Sequence, residues 1–246
     1  TRLREETEFK PKPMVEVGNR PIIWHIMKIF AHHGIDDFVV CTGYRGNVIK
    51  EYFLNYEALS NDVSVHLGSQ HRVSYHGAHD ESHWRVTVVD TGAETNTGGR
   101  VKRIQPFIED DLFIVTYGDG LADVDLPALL AFHAAHGRLA TLTAVQPLLR
   151  FGIVDIDGDG VVGTFREKPR SEDWVSGGFF VFDRRVFDYL GPDQVLEEEP
   201  LQNLAKDGEL MAYQHRGFWQ PMDTFRELTM LNEAWDNGAP WKVWDR

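Results

Sequence analysis

A short apolar run that stops at a glycine turn limits the possible folds more than any other stretch of this chain. The run 112–116 reads Leu-Phe-Ile-Val-Thr and is followed by Tyr117-Gly118-Asp119-Gly120. A run bounded in this way is typical of a buried strand. Because ligands bind outside the carboxyl ends of strands in an open α/β sheet, Asp119 is a candidate metal ligand. An Asx-turn or a helix cap would explain the same aspartate, and the motif alone does not decide between these interpretations.

Strand-like and helix-like segments alternate along the 246 residues, which predicts an α/β fold. A first helix is predicted from Pro21, with Gly34 suited to its end. Its histidines are expected at the surface: His25, His32 and His33. Strands are predicted at 38–42, 86–90, 140–145, 179–182 and 210–213, and helices at 125–136, 197–206 and 224–236. We expect a Rossmann-like, mixed and mostly parallel sheet flanked by helices, with a small β-rich part, in one domain spanning 1–246.

The composition argues against two classes of partner. The formal net charge is −13, whereas a nucleic acid or an anionic membrane surface requires a basic protein surface. No run of about 18 apolar residues predicts a membrane span, and no signal-peptide pattern is recognised. The lone cysteine, Cys41, lies in an apolar run and is expected in the core of a protein in a reducing compartment. We therefore expect a cytoplasmic protein that meets any phosphate ligand with a local basic cluster.

Two stretches could supply such a cluster. In 10–13, Lys-Pro-Lys-Pro, alternating prolines predict a stiff extended backbone that presents Lys10 and Lys12 to a phosphate. A solvated loop is the simpler alternative. In 95–100, Thr-Asn-Thr-Gly-Gly-Arg, the hydroxyls, glycines and arginine predict a helix N-terminus that could cradle an anion or nucleotide. An ordinary helix cap is the alternative there.

Three motif-like patterns do not fit their context. His79 and His83 stand four apart but lack a helical apolar face, so we expect 60–85 to be a mobile or oligomer-contacting loop. The stretch 158–163 matches G-x-G-x-x-G, yet both flanks are strand-like, which predicts a hairpin. The aspartates of 155–159 resemble the start of an EF-hand, but Arg166 occupies the closing position.

A second carboxylate follows another predicted strand end. The stretch 217–224 reads Gly-Phe-Trp-Gln-Pro-Met-Asp-Thr, which places Asp223 at the start of the helix predicted at 224–236. The simplest role for Asp223 is to cap that helix. Near the end of the chain, Trp241 and Trp244 are expected to pack against the body of this chain or of a neighbouring one.

In this order the motifs resemble the sugar-1-phosphate nucleotidyltransferases. That family begins with a strand and a glycine-rich loop ending in Gly-Thr-Arg-Leu, followed by Pro-Lys-Pro-Met. The stretches 1–3 and 10–14 are similar to the end of that signature, so the strand and most of the loop are absent from the chain as given. Asp119 and Asp223 resemble the two metal ligands of the family. The stretches 218–224 and 239–244 are most similar to members that use CTP and glucose 1-phosphate.

The resemblance implies an Mg²⁺-dependent reaction of CTP with α-D-glucose 1-phosphate that gives CDP-glucose and pyrophosphate, for nucleotide-sugar or O-antigen biosynthesis, in a homo-oligomer. It implies that Asp119 and Asp223 hold Mg²⁺ and that Arg2 and Lys12 are catalytic. The implied nucleotide-binding residues are Thr1, Arg2, Lys12, Thr95, Arg100 and Gly118. The implied sugar-binding residues, in the β-rich part and beside it, are Gly152, Glu167, Lys168, Gly178 and Trp219.

Two alternatives remain open from the sequence. The same chemistry could use dTTP or UTP, because most of the base-reading loop is absent from the chain as given. A non-catalytic regulatory subunit that binds a sugar phosphate is the alternative from another class. The absent loop favours it, whereas Lys12, Asp119 and Asp223 oppose it.

Overall fold

The structure, a computed structural model, describes residues 7–68 and 72–245. Its strands are β1 (Glu16–Val17), β2 (Arg20–Pro21), β3 (Asp37–Thr42), β4 (Asp62–His66), β5 (Arg72–His76), β6 (Arg85–Asp90), β7 (Leu112–Thr116), β8 (Gly120–Ala122), β9 (Ala140–Val145), β10 (Ile153–Ile156), β11 (Val162–Arg166), β12 (Val175–Asp183), β13 (Leu210–His215) and β14 (Trp219–Pro221). Its α-helices are α1 (Ile22–His32), α2 (Gly46–Leu54), α3 (Tyr56–Ser60), α4 (Thr97–Arg103), α5 (Leu126–His136), α6 (Glu199–Lys206) and α7 (Phe225–Asp236). No helix in these ranges is long and apolar enough to cross a membrane.

The central sheet is mixed and flanked by helices, as predicted. Its strand order is β13-β9-β12-β7, where β13 runs parallel to β9 and β12 runs antiparallel to both neighbours. A separate parallel pair joins β3 to β6. The parallel share is smaller than expected because β9 and β12 are connected through the β10–β11 hairpin, whereas a parallel pairing requires a crossover connection, usually a helix. That hairpin confirms the interpretation of the glycine-rich stretch 158–163.

A cavity lies between the central sheet and the β3–β6 pair. Its volume is about 800 Å³, and its walls are β3 on one side, β7 on the other, and α1. It reaches Pro13, Tyr117 and Gly118, at the carboxyl end of β7. The cavity therefore extends along β3 and β7, from Asp37 and Leu112 at their amino ends to the glycine turn that precedes Asp119.

The main core packs α1, β8, β12 and α7 around the aromatic tail. Trp241 is fully buried there, and its ring lies 5.4 Å from that of Phe218. His25 is also fully buried, which corrects the expected surface position. Its Nε2 lies 2.8 Å from the Val17 carbonyl, and Trp241 Nε1 donates to its Nδ1. The tail thus closes the core of its own chain through a histidine that the helical pattern did not identify as buried.

The polar stretch 60–85 forms structure where we expected a loop. β4 and β5 pair as an antiparallel hairpin in which Val63 lies opposite Tyr75 and Val65 opposite Val73. The period-two spacing of these four residues favours a strand, and the surrounding polar residues obscured it. His79 lies 3.1 Å from Glu57 Oε1, and His83 is exposed.

Candidate active site

The two candidate metal ligands lie at the same end of a two-stranded ribbon. β8 and β14 pair antiparallel, with Gly120 opposite Pro221. Asp119 directly precedes β8, and Asp223 follows β14 by two residues. The Met222 N–H donates to the Asp119 carbonyl at 2.8 Å, which extends the ladder beyond the paired strands. The ribbon therefore brings together two carboxylates that are 104 positions apart in the sequence.

Lys12 bridges these carboxylates. Its ammonium donates to Asp119 Oδ2 at 3.0 Å and to Asp223 Oδ1 at 2.6 Å. The side chains remain open to solvent, with 37% of Lys12, 29% of Asp119 and 52% of Asp223 exposed. Burial would lower the pKa of Lys12, but the hydrogen bonds and charges of Asp223 and Asp119 outweigh it and raise the pKa. The site therefore holds a positive charge between two carboxylates at neutral pH.

The proline-rich stretch holds Lys12 by a different geometry from the one expected. Pro11 is extended, but Lys12–Met14 forms one 3₁₀ turn, anchored by the buried Met14. Pro13 packs against Gly118, where an added Cβ would lie 2.8 Å from the proline ring. Lys10 pairs with Glu16 at 3.9 Å. Only one of the two candidate lysines thus reaches the carboxylates, and Gly118 is needed for the approach.

The structure separates Asp223 from helix capping, which was its simplest explanation. Thr224 is the N-cap of α7, and its hydroxyl accepts the N–H of Glu227. Glu227 Oε2 in turn accepts the N–H groups of Thr224 at 2.9 Å and of Asp223 at 2.7 Å. Since this capping box satisfies the helix start, the Asp223 carboxylate is available to face Lys12. Glu227 is buried and also accepts from Arg150 at 2.6 Å.

A small cleft of about 230 Å³ adjoins the carboxylates. Asp119 and Asp223 line one side of it, and Gly178 and Trp219 line another. Trp219 Nε1 donates to the Gly177 carbonyl at 2.8 Å, which fixes the indole over the glycine pair. Two of the five predicted sugar-binding residues, Gly178 and Trp219, therefore lie beside the metal candidates.

The other three predicted sugar-binding residues cluster at the base of the β10–β11 hairpin. Lys168 Nζ lies 3.0 Å from Glu167 Oε1, and a Cβ at Gly152 would lie 3.0 Å from Glu167 Oε2. Lys168 has a positive φ of 45°. None of the three lines the cleft beside Asp119. The structure thus groups them with each other and not with the carboxylates.

Two of the predicted nucleotide-binding residues, Arg100 and Thr95, lie beside the ends of β3 and β6. Arg100 donates to the Thr42 carbonyl at 3.1 Å, to Thr91 Oγ1 at 2.8 Å and to the Ala93 carbonyl at 3.1 Å. Its guanidinium thereby joins the ends of β3 and β6, and Thr95 is buried close by. Gly118 lines the larger cavity. Thr1 and Arg2 lie outside the described residues.

Sequence reasoning did not single out four charged or titratable residues that make contacts at the start of α7 or at the end of the β8–β14 ribbon: Arg150, Glu227, Asp123 and His215. The pattern Thr-x-x-Glu at 224–227 is a capping-box signature and could have identified Glu227. No local pattern marks the other three; Arg150 and Asp123 bind partners 77 and 95 positions away.

Two carboxylates and an ammonium thus lie beside a glycine-lined cleft at strand ends of an α/β protein, which is where ligands bind in folds of this class. The chain belongs to the nucleotidyl transferase family, whose model matches residues 1–236. The predicted family resemblance is therefore confirmed.

Similar proteins support this assignment along the whole chain. Glucose-1-phosphate cytidylyltransferase of Salmonella typhi is 51% identical over 249 residues, covering 100% of this chain and 96% of the relative. A Bacillus subtilis (strain 168) protein, named as a probable glucose-1-phosphate cytidylyltransferase, is 42% identical over 247 residues, covering 99% and 96%. The crystal structure of HddC from Yersinia pseudotuberculosis superposes with a TM-score of 0.69 at 18% identity, covering 96% of this chain and 94% of that chain. The structural match confirms the fold.

Proposed function

We propose that this protein transfers the cytidylyl group of CTP to α-D-glucose 1-phosphate, giving CDP-glucose and pyrophosphate. The observation that carries the proposal is the bridge from Lys12 to Asp119 and Asp223 beside the cleft of Gly178 and Trp219. The Salmonella relative, with 51% identity over the whole chain, supports the choice of CTP and glucose 1-phosphate.

The reaction needs no protein nucleophile. A phosphate oxygen of glucose 1-phosphate attacks the α-phosphorus of CTP, and the bond from that phosphorus to the oxygen of the departing pyrophosphate breaks. The attacking group is already an anion, so the protein must align two polyanions and stabilise the charge that develops. Lys12 would contact the α-phosphate and the sugar phosphate, because it is the basic side chain that the described structure places between Asp119 and Asp223.

The two carboxylates fit a magnesium ion. The Lys12 ammonium already lies between them as a cation, 3.0 Å and 2.6 Å from their oxygens. Mg²⁺ is usually bound by one or two carboxylates together with substrate phosphates and water, which agrees with this donor set. When bound by Asp119 and Asp223, the ion would neutralise phosphate charge. Lys12 would then turn toward the phosphates.

The remaining predicted residues divide between the two substrates. Arg2 would stabilise the pyrophosphate, and Thr1 and Gly118 would meet the nucleotide. Arg100 and Thr95 would also meet the nucleotide, from the loop ends at β3 and β6 whose backbone carbonyls Arg100 binds. The sugar would lie against Gly178 and Trp219, with Gly152, Glu167 and Lys168 approaching from the hairpin.

The test is pyrophosphate release by the full-length protein with glucose 1-phosphate and each of CTP, dTTP and UTP. We expect turnover with CTP that is lost on adding EDTA and restored by excess Mg²⁺. Faster turnover with dTTP or UTP would reassign the base. Binding of glucose 1-phosphate without turnover of any nucleotide would support the regulatory subunit.

We further propose that the protein is a homo-oligomer. One face of the β4–β5 hairpin exposes four apolar side chains, Val63, Val65, Val73 and Tyr75, each between 39% and 47% exposed. Sedimentation of the wild type and of Val65→Lys tests this: the wild type should sediment as an oligomer and the variant should dissociate. A monomeric wild type would refute it.

A further inference from the structure

The end of the β8–β14 ribbon that lies away from the metal candidates is closed by an aspartate and a histidine. Asp123 directly follows β8, and its Oδ1 accepts the Phe218 N–H at 2.6 Å. The same carboxylate oxygen lies 3.2 Å from His215 Nε2. His215 Nε2 also lies 3.0 Å from the Phe218 carbonyl, which accepts the Asp123 N–H at 3.2 Å. We call Asp123, His215 and the Phe218 peptide the ribbon clamp.

The ribbon depends on such contacts because it is short. β8 and β14 contribute three residues each, and an isolated two-stranded ribbon of this length is marginal in water. In β-structure a one-residue slip moves every side chain to the opposite face and shifts the chain by about 3.3 Å. Since magnesium–oxygen distances are close to 2.0–2.1 Å, a shift of that size would separate Asp119 from Asp223 as ligands of one ion.

The clamp is built for close contact. A Cβ at Gly217 would overlap Asp123 Oδ1 and lie 2.7 Å from His215 Cε1, so only glycine fits between the two groups. The side chain of His215 is 8% exposed and that of Asp123 is 23% exposed. The clamp is therefore partly shielded from water.

Charge adds to this geometry. Burial would lower the pKa of His215, and Arg170 acts in the same direction, but the bonds to Asp123 and Phe218 raise the pKa above its usual value. Burial would raise the pKa of Asp123, but His215 and the Phe218 N–H hold it below its usual range. Each partner thus favours the charged form of the other.

We propose that Asp123 and His215 are positioning residues for the metal site: from the far end of the β8–β14 ribbon they fix the register that pairs Gly120 with Pro221 and so brings Asp119 beside Asp223. This inference rests on the proposed function, because it assumes that these two carboxylates hold the metal. Neither clamp side chain needs to touch a substrate. Their effect reaches the site through the strands, about 13 Å along β8 from Asp123 to Asp119.

The experiment compares metal binding in Asp123→Ala with that in the wild type. Mn²⁺ binding in the absence of nucleotide is followed by the loss of the free-ion EPR signal, and the Mg²⁺ concentration for half-maximal turnover is measured in parallel. Removing a residue that orients metal ligands typically weakens metal binding 10–100-fold, so we expect at least a tenfold weakening in both readouts. His215→Gln retains a side-chain N–H donor and should keep most of the wild-type affinity for Mn²⁺. His215→Phe has no such donor and should lose it.

Asp125→Ala is the matched control. Asp125 lies two residues beyond Asp123 and also accepts a backbone N–H, that of Ala128 at 2.9 Å, but it caps α5 and does not hold the ribbon. Its loss should lower the melting temperature without changing either metal constant. Asp123→Asn, which preserves side-chain volume, replaces Asp123→Ala if the latter fails to fold.

Unchanged metal constants in Asp123→Ala or Asp123→Asn, or equal losses in Asp125→Ala, would overturn the inference. The proposed function fails separately, through absence of metal-dependent turnover in the wild type. If Asp119→Ala abolishes turnover while both Asp123 variants bind Mn²⁺ normally, the inference alone is wrong.

Discussion

Replacing Lys12 by methionine should change metal affinity and turnover in opposite directions. In the structure a cation must displace the Lys12 ammonium from Asp119 and Asp223 before it can bind between them. Partly exposed ion pairs contribute about 0.2–1 kcal/mol each, so the two together oppose metal binding by about 0.4–2 kcal/mol. At about 1.4 kcal/mol per factor of ten, Mn²⁺ should bind Lys12→Met about 2–30-fold more tightly than the wild type when no nucleotide is present.

Turnover of the same variant should fall. Loss of a donor to the charge that develops in a transition state typically costs about 10²–10³-fold in rate. The assays are EPR titration with Mn²⁺ alone and pyrophosphate release with CTP, glucose 1-phosphate and saturating Mg²⁺. Lys10→Met removes the same charge two residues away and should change neither quantity by more than about twofold. Weaker Mn²⁺ binding in Lys12→Met, or near-normal turnover, would refute this role.

Three further predictions follow from buried or strained positions. Burial lowers the pKa of His25 to about 4. As pH falls, the unfolded state therefore binds a proton at His25 before the folded state does. The free energy of unfolding should fall by up to about 3 kcal/mol between about pH 6.5 and pH 4. Urea titrations should show this slope in the wild type and a shallower one in His25→Gln; equal slopes would contradict it. Glu227→Ala removes the capping box. It should lower the free energy of unfolding in urea by about 0.5–2 kcal/mol and raise the Mg²⁺ concentration needed for turnover. Arg150→Met removes only the ion pair to Glu227 and should lower the free energy of unfolding by under about 1 kcal/mol. Equal effects of the two would show that the exposed ion pair, not the backbone bonds to Asp223, matters most. Gly178→Ala places a Cβ against the Tyr117 ring at a residue whose φ is 77°. The variant should have a lower melting temperature and a higher KM for glucose 1-phosphate. An unchanged KM would show that Gly178 does not contact the sugar.

Local patterns predicted most of the elements. The helices and strands were predicted because apolar residues recur with a period of 3.6 or 2 within each contiguous segment. The glycine turns that end these segments were predicted from neighbouring residues as well. The β4–β5 hairpin was missed because its alternating apolar residues lie among histidines and charges. The burial of His25 was missed because its enclosure by Trp241 depends on residues 216 positions away.

The candidate site was predictable only in part. Asp119 and Asp223 could be proposed because each follows a strand end, but each also had a simpler explanation as a turn or cap residue. Only the pairing of β8 with β14 brings them to one point, and only the Thr224–Glu227 capping box frees Asp223 from the helix start. The contacts of Arg100 could not be predicted from its place in the sequence, because the Thr42 carbonyl that it binds lies 58 positions away.

The most direct test of the two-carboxylate site is a double-mutant cycle on Asp119 and Asp223. Pyrophosphate release from CTP and glucose 1-phosphate would be measured for Asp119→Asn, Asp223→Asn and the double variant, with urea unfolding as a check on the fold. If both carboxylates hold one ion, each single variant should lose nearly all metal-dependent turnover, and the double variant should be no worse than either single one. Losses that simply add, or substantial turnover in either single variant, would contradict a shared metal site.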